Sequence, residues 1–480
     1  MPLIKHDLIL DHKDNPIFTP VFDHVQATFK NVICSGASTL IIHQDSIVLE
    51  QYIGKQSVKE NARTIQADTQ FHVASVRKSY IGFAVSYALF YDYINSIDDP
   101  VLSYLPELEE NTWKGTTIRH LLTHTHGLNQ EGNEDIREFT PGSSWSYKQI
   151  GIEALTQIVK RTTGKSVAEI LHESVFTPLG FTESDWYSQK HEKLVDVVLR
   201  YEGDEDWKTS ESTEGDKMNM YVSTRELAYW GYLHLKKGKV NGKQVVPREI
   251  IEVATSLQSP STLHKDLPQN GFLWFVKDLP AKKTEIGDQV PKGSYQILGF
   301  TNVTLLVIPE EDIVAVRMFN SFGSPEGYDY LSDVRSFGDT VMSCVKNCKR
   351  SKKMKKLLID SHCIFPTQDI MKTANFYEQK LGFKAVHYLN ANEPHICLYR
   401  DTTEIILTKT NGRKVIPNRD LYGYGYDAYF ITKNQEELQE ELVSSNVKLV
   451  RPLDHTDYNN KEFVVEDIDG RWLAFGLKVD

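Results

Sequence analysis

Phe71-His72-Val73-Ala74-Ser75-Val76-Arg77-Lys78-Ser79-Tyr80 is the stretch of this 480-residue chain from which its fold can be worked out. It sets Ser-x-x-Lys at the head of an apolar run, Ile81 to Leu89, that predicts a helix. Residues three apart share a helical face, so Lys78 stands one turn above Ser75. A hydroxyl is a weak nucleophile by itself, and a desolvated lysine amine can manage its proton. The first turn of a helix adds positive potential and free N–H groups able to hold an oxyanion. Ser75 is therefore the candidate nucleophile and Lys78 its proton partner. The same four residues also fit an ordinary helix start, with Ser75 as cap and Lys78 in water.

The surroundings decide between the two. Phe71, Ala74-Ser75 and Lys78 are followed by Ile97-Asp98-Asp99-Pro100 and Tyr104-Leu105-Pro106. This order resembles the serine β-lactamase and penicillin-binding-protein superfamily, nearest its class C, family VIII esterase and 6-aminohexanoate-oligomer hydrolase branches. The segments at 117–128, 141–151, 176–182 and 223–231 continue the resemblance. It implies an α/β (α+β) fold: an antiparallel sheet with flanking helices and a helical subdomain.

Members carry Pro-Gly, a short gap, then Tyr-x-Asn before a long helix. Here Pro141-Gly142 leads to Tyr147, and Gln149 stands where asparagine is usual. The resemblance implies that Tyr147 is the third catalytic group. A phenol near pKa 10 serves as a base only beside a cation, for which Lys78 is expected. Gln149 keeps an amide but adds a methylene. The third element, Gln296 to Asn302, puts Ile297-Leu298-Gly299 where relatives have Lys-Thr-Gly or His-x-Gly. Gly299 survives while the cation and hydroxyl are gone, and the following N–H, of Phe300, is the expected second oxyanion donor beside that of Ser75. Lys292 is the one nearby cation that could substitute. Met218-Asn219-Met220, where relatives often have glycines, is expected as a bulkier pocket wall.

His120 and His124 would share a helical face and invite a metal reading, but the resemblance makes this segment scaffold. No cofactor and no metal are expected. The chain is long enough for two or three domains. Lys349-Arg350-Ser351-Lys352-Lys353-Met354-Lys355-Lys356 reads as a solvated linker, dividing a hydrolase-like domain at 1–348 from a second domain at 357–480, with the linker at 349–356.

The second domain shows two units of similar order, strand, helix, then strands, the first from Leu358 and the second from Tyr426. Phe376-Tyr377, Lys380-Leu381-Gly382-Phe383 and Asp467-x-Asp469-Gly470-Arg471 resemble the glyoxalase/bleomycin-resistance (vicinal oxygen chelate) superfamily. That resemblance implies paired βαβββ modules forming a cupped sheet for small ligands, often with a metal. The metal-ligand positions fall on His362, Ile406, Asp427 and Ala474, of which only His362 and Asp427 could ligate, or Glu404 if the register slips.

Composition narrows the classes. Asp and Glu number 65 against 54 Lys and Arg, and the net charge of −11 argues against a nucleic-acid surface. No stretch is apolar and long enough for a membrane span. The first residues have no apolar run, so a cytoplasmic location is expected. Five scattered cysteines make no disulfide framework. The expected activity is that of a serine hydrolase cleaving an amide or ester of a small molecule through an acyl-enzyme. The carboxy-terminal domain would bind a small molecule or mediate a homodimer. The alternatives are a non-enzymatic ligand-binding or sensor protein keeping the fold, and a metal-dependent lyase or dioxygenase run by the second domain.

Overall fold

The structure is a computed structural model and describes residues 8–132, 134–199, 210–323, 325–353 and 361–478. The chain divides into two compact units, 1–353 and 354–480. In the first, strand β1 (Asp11–His12) and helix α1 (Thr19–Asn31) precede a hairpin of β2 (Gly36–His43) and β3 (Ser46–Gly54). Its two turn residues, Gln44 and Asp45, both have positive φ (50° and 61°), the turn whose twist matches its strands. Helices α2 (Arg77–Phe90), α3 (Ile150–Thr163) and α4 (Thr224–Leu235) follow. Strands β4 (Phe275–Lys277), β5 (Ser294–Gly299), β6 (Val303–Ile308) and β7 (Ile313–Phe319) lead into α5 (Tyr330–Lys353).

The seven strands form one sheet in the order β1-β3-β2-β7-β6-β5-β4, antiparallel except for β1 beside β3. Both faces are covered, and β6 is apolar at every position but Thr304. Leu305 and Val307 enter one core with residues of α2 and α4, while Leu306 and Ile308 enter the other with α1 and α5. Helix α2 is apolar nearly all round and buried accordingly. It is fixed to α4 where Trp230 Nε1 donates to Ser79 Oγ at 3.0 Å and the Trp230 ring stacks on Tyr80 at 4.2 Å.

Helix α5 continues through Lys353, into the stretch expected as linker, and its Cys344 and Cys348 lie in the core. Residues 354–356 of the basic run lie outside the described residues. Met220 is likewise core, and the Asn219 amide donates to the carbonyls of Tyr187 and Ser212. That segment is scaffold rather than the pocket wall expected.

The second unit holds two four-stranded sheets built alike. The first module is β8 (Cys363–Thr367), α6 (Ile370–Leu381), β9 (Lys384–Tyr388), β10 (His395–Arg400) and β11 (Thr403–Lys409). The second is β12 (Ala428–Ile431), α7 (Gln435–Ser444), β13 (Lys448–His455), β14 (Asn460–Glu466) and β15 (Trp472–Lys478). Their orders, β8-β11-β10-β9 and β12-β15-β14-β13, are the same path traced twice. One core spans both modules. A buried polar knot also joins them: the Tyr377 hydroxyl of α6 donates to Asp467 at 2.9 Å, and Arg471 Nη1 reaches Asp467 and Asp469. No described helix is long and apolar enough to cross a membrane.

Candidate active site

Ser75 sits in a single 3-10 turn, Ala74–Val76, at the mouth of α2. Three restraints hold that turn. Ala74 has φ +48°, a left-handed conformation costly for a residue with a Cβ. The Ala74 N–H donates to the buried His72 Nδ1 at 3.2 Å, while the His72 carbonyl accepts from Thr301 Oγ1 at 2.7 Å. Finally, β5 presses against the turn, because a Cβ on Gly299 would lie 2.4 Å from the Val73 carbonyl oxygen. Gly299 is therefore required by the close packing of strand on turn.

One helical turn on, Lys78 Nζ lies 2.9 Å from Ser75 Oγ. Lys78 is 2 % exposed, and burial first, then the charge of Arg77, pull its ammonium well below the usual lysine range. Tyr147 completes the cluster: its ring centroid is 4.5 Å from Lys78 Nζ and its hydroxyl hydrogen-bonds Ser75. Burial pushes the phenol up to about 12, against the pull of the Ser75 bond and Arg77, with Glu285 adding to the rise. Tyr147 is 38 % exposed, so water moderates that rise. Both shifts oppose the expected pairing of a Lys78 cation with a Tyr147 phenolate. The lysine is held toward the neutral amine and the tyrosine toward the phenol.

The loop bearing Tyr147 is stitched to the segment before it, with Ser146 N donating to the His124 carbonyl and Gly142 N to that of Thr125. The helix there covers only Ile118–Leu122, so His120 and His124 share no helical face. The His120 side chain closes a capping box with Thr117. His124, at φ +57°, has its ring centroid 4.4 Å from that of Tyr147 and tilted to it by 38°, and its two buried ring nitrogens have no partner among the described residues. Burial holds its pKa well below the usual imidazole range.

Gln149 is adjacent to α3, and its side-chain oxygen accepts from Arg77 Nη2 at 3.3 Å. Phe300 follows β5 with its ring against Phe322, 5.1 Å between centroids. Ile297 and Leu298 are buried, and among the described residues no cation replaces them on the strand. Lys292 is exposed before the far end of β5, about 17 Å of strand away from Gly299 at roughly 3.3 Å per residue. The structure therefore brings Ser75, Lys78, Tyr147 and Gln149 together, with Gly299 against the Ser75 turn, and leaves Lys292 outside. Sequence reasoning missed Arg77 and His124; a charge inside an otherwise apolar helix start was the available signal for the first.

Residues 23–336 match the Beta-lactamase family. An uncharacterized protein of Alkalihalophilus pseudofirmus is 60% identical over 328 residues, 68% of this chain and 96% of its own length. The chain belongs to the beta-lactamase family. It is an enzyme of this serine-hydrolase group. Esterase EstB of Burkholderia gladioli is 28% identical over 195 residues, 33% of this chain and 49% of that protein, so that match spans about half its length. Among solved structures, a penicillin-binding protein homolog from Caulobacter crescentus shares the fold at TM-score 0.56 and 15% identity, covering 70% of this chain and 100% of that one.

Residues 361–475 match the Glyoxalase/Bleomycin resistance protein/Dioxygenase superfamily. The residues present do not fit the metal that this fold often carries. Both Asp427 oxygens accept backbone N–H bonds, from Asn418 and Trp472 at 3.0 Å each. His362 Nδ1 faces Glu404 at 3.2 Å, and Ile406 and Ala474 have no ligating atoms. No group of three or more His, Cys, Asp or Glu is placed to hold a metal among the described residues.

Proposed function

We propose that the first unit hydrolyses uncharged small-molecule esters or amides through an acyl-enzyme on Ser75. The observation that carries this reading is the buried Lys78 amine, 2.9 Å from Ser75 Oγ. An amine held toward its neutral form can serve as a base, and a phenol held toward its protonated form as an acid. Ser75 Oγ attacks the carbonyl carbon as its proton passes to Lys78 Nζ. The oxyanion is held by the Ser75 N–H, with the N–H of Phe300 as the second expected donor. Collapse breaks the bond to the leaving group, which takes the Tyr147 proton, and Lys78 returns its own to Tyr147. Water then attacks the acyl-enzyme, giving its proton to Lys78, and as the bond to Ser75 Oγ breaks and the acid is released Lys78 passes that proton to Ser75 Oγ.

The apolar strand sets the preference for uncharged substrates. Ile297 and Leu298 cannot offset the desolvation of a carboxylate, whose unpaired burial costs several kcal/mol. The esterase among the relatives supports the same class. The second unit is read as a small-molecule-binding or dimerisation module of a cytoplasmic protein. A cavity of about 300 Å³ lined by Leu381, Phe383, Arg400, Phe430, Leu438 and Phe475 supports the binding role.

Turnover of p-nitrophenyl esters tests the reading. Ser75→Ala is expected to abolish it and Lys78→Ala to slow it by roughly 10²–10⁴-fold. Full turnover by Ser75→Ala would remove Ser75 as the nucleophile.

A further inference from the structure

Arg77 occupies one of the two middle positions of Ser-x-x-Lys, and its side chain is 0 % exposed. A guanidinium is always charged and carries five donors. Here Nη2 donates to Gln149 Oε1 at 3.3 Å, while Nε and Nη1 have no hydrogen-bond partner among the described residues. No carboxylate forms an ion pair with it among the described residues; burial lowers its pKa to about 10, against the opposing pull of Tyr147 first, then of Asp216 and Glu153. Burying an unpaired charge is costly, so a cation kept there beside two reacting groups is there for what its charge does.

We infer that Arg77 is a positioning residue of this site, which aims the Gln149 amide at the substrate and provides a fixed charge that adds to burial in disfavouring a second charge on Lys78. The first half follows from donor chemistry. Arginine can only donate, so the Gln149 atom facing it must be the oxygen, and the amide nitrogen is left as a donor for another partner. That nitrogen suits a substrate with a hydrogen-bond acceptor on its acyl side. The extra methylene of Gln149 relative to asparagine gives the amide the reach to Arg77. The second half follows from position, because Arg77 is next in the chain to Lys78 and buried with it. A cation beside an amine disfavours a second charge. The other groups around Lys78 and Tyr147 do not supply this. Ser75 is neutral, and His124 is held neutral by its burial. Glu285, and the Tyr330 phenol of α5, bear on Tyr147 rather than on Lys78. Arg77 thus supplies positive potential from within the helix where β5 supplies none, and, being buried, it offers no subsite for a carboxylate.

The inference rests on the Ser75–Lys78 chemistry proposed above, and the two are separated by one experiment. The rate at which a fluorophosphonate labels Ser75 is measured against pH in the full chain, with ester kcat/KM alongside. The proteins are the wild type, Arg77→Met, Arg77→Lys and Gln149→Asn. Loss of label in wild type would sink the Ser75 assignment itself. With Arg77→Met the acidic limb is expected to move to higher pH by about one unit or more, because the amine regains its proton. Arg77→Lys keeps the charge and the limb but loses the reach to Gln149, so ester kcat/KM falls by about tenfold, as it does in Gln149→Asn with an unmoved limb. A folded Arg77→Met, checked by circular dichroism, whose limb stays in place overturns the inference. Should Arg77→Met not fold, wild-type kcat/KM in both Arg77→Lys and Gln149→Asn overturns it instead.

Discussion

Lys78 is kept from its usual charge by burial and by a neighbouring cation, and the direction of that shift fixes how activity follows pH. A base must be neutral to act. Activity is therefore present above the depressed pKa and lost as pH falls through it, rather than appearing only near 10.5. The kcat/KM profile for a neutral ester should reach its plateau well below pH 10, and a limb centred near 10 would contradict a neutral Lys78. Tyr147 leads to a second expectation. If its phenol protonates the leaving group, Tyr147→Phe should cost roughly 10²–10⁴-fold on alkyl esters and amides. The loss should be far smaller on p-nitrophenyl esters, whose phenolate departs without a proton. Comparing the two substrates in one variant checks this, and equal losses would assign Tyr147 another role.

At the scale of the elements, the contact between β5 and the Ser75 turn leaves no room for a side chain at Gly299. Gly299→Ala must push strand and turn apart, with a stability loss of about 1–3 kcal/mol and a larger loss of activity, since the nucleophile moves with the turn. Thermal unfolding beside ester turnover measures both; unchanged activity would show that the turn is not clamped. Much of this framework was readable in advance. The β2–β3 hairpin, the apolar α2, and the β6–β7 pair with its Pro309-Glu310-Glu311-Asp312 turn all declare themselves by period and turn residues. Two strands of the second unit did not. Lys384–Tyr388 is an edge strand, half open to solvent, and carries no alternating apolar signal. Lys448–His455 contains Pro452 and is interrupted by irregular pairing, both of which erase the period. At the site, the motifs pointed to Ser75, Lys78 and Tyr147, which the fold brings together. The partnership of Arg77 with Gln149 links positions 72 residues apart, which only the folded chain brings together.

For the molecule as a whole, the net charge of −11 and the apolar strand act in the same sense against anionic substrates. Penicillins and cephalosporins should be turned over poorly beside neutral short-chain esters. Added salt should raise their kcat/KM by screening long-range repulsion while leaving the neutral esters unaffected. Efficient nitrocefin hydrolysis at low salt would count against the missing-cation argument. The second unit is expected to carry no stoichiometric metal, and elemental analysis of the purified chain decides that. The buried guanidinium also has a consequence for heat resistance. An uncompensated buried charge is costly, so replacing it by an apolar residue of similar size removes that cost. Arg77→Met should then melt at or above the wild-type temperature while working less well at neutral pH. Variants of this chain chosen for survival at high temperature alone would tend to discard Arg77, and would have to be screened for turnover in the same step to keep it.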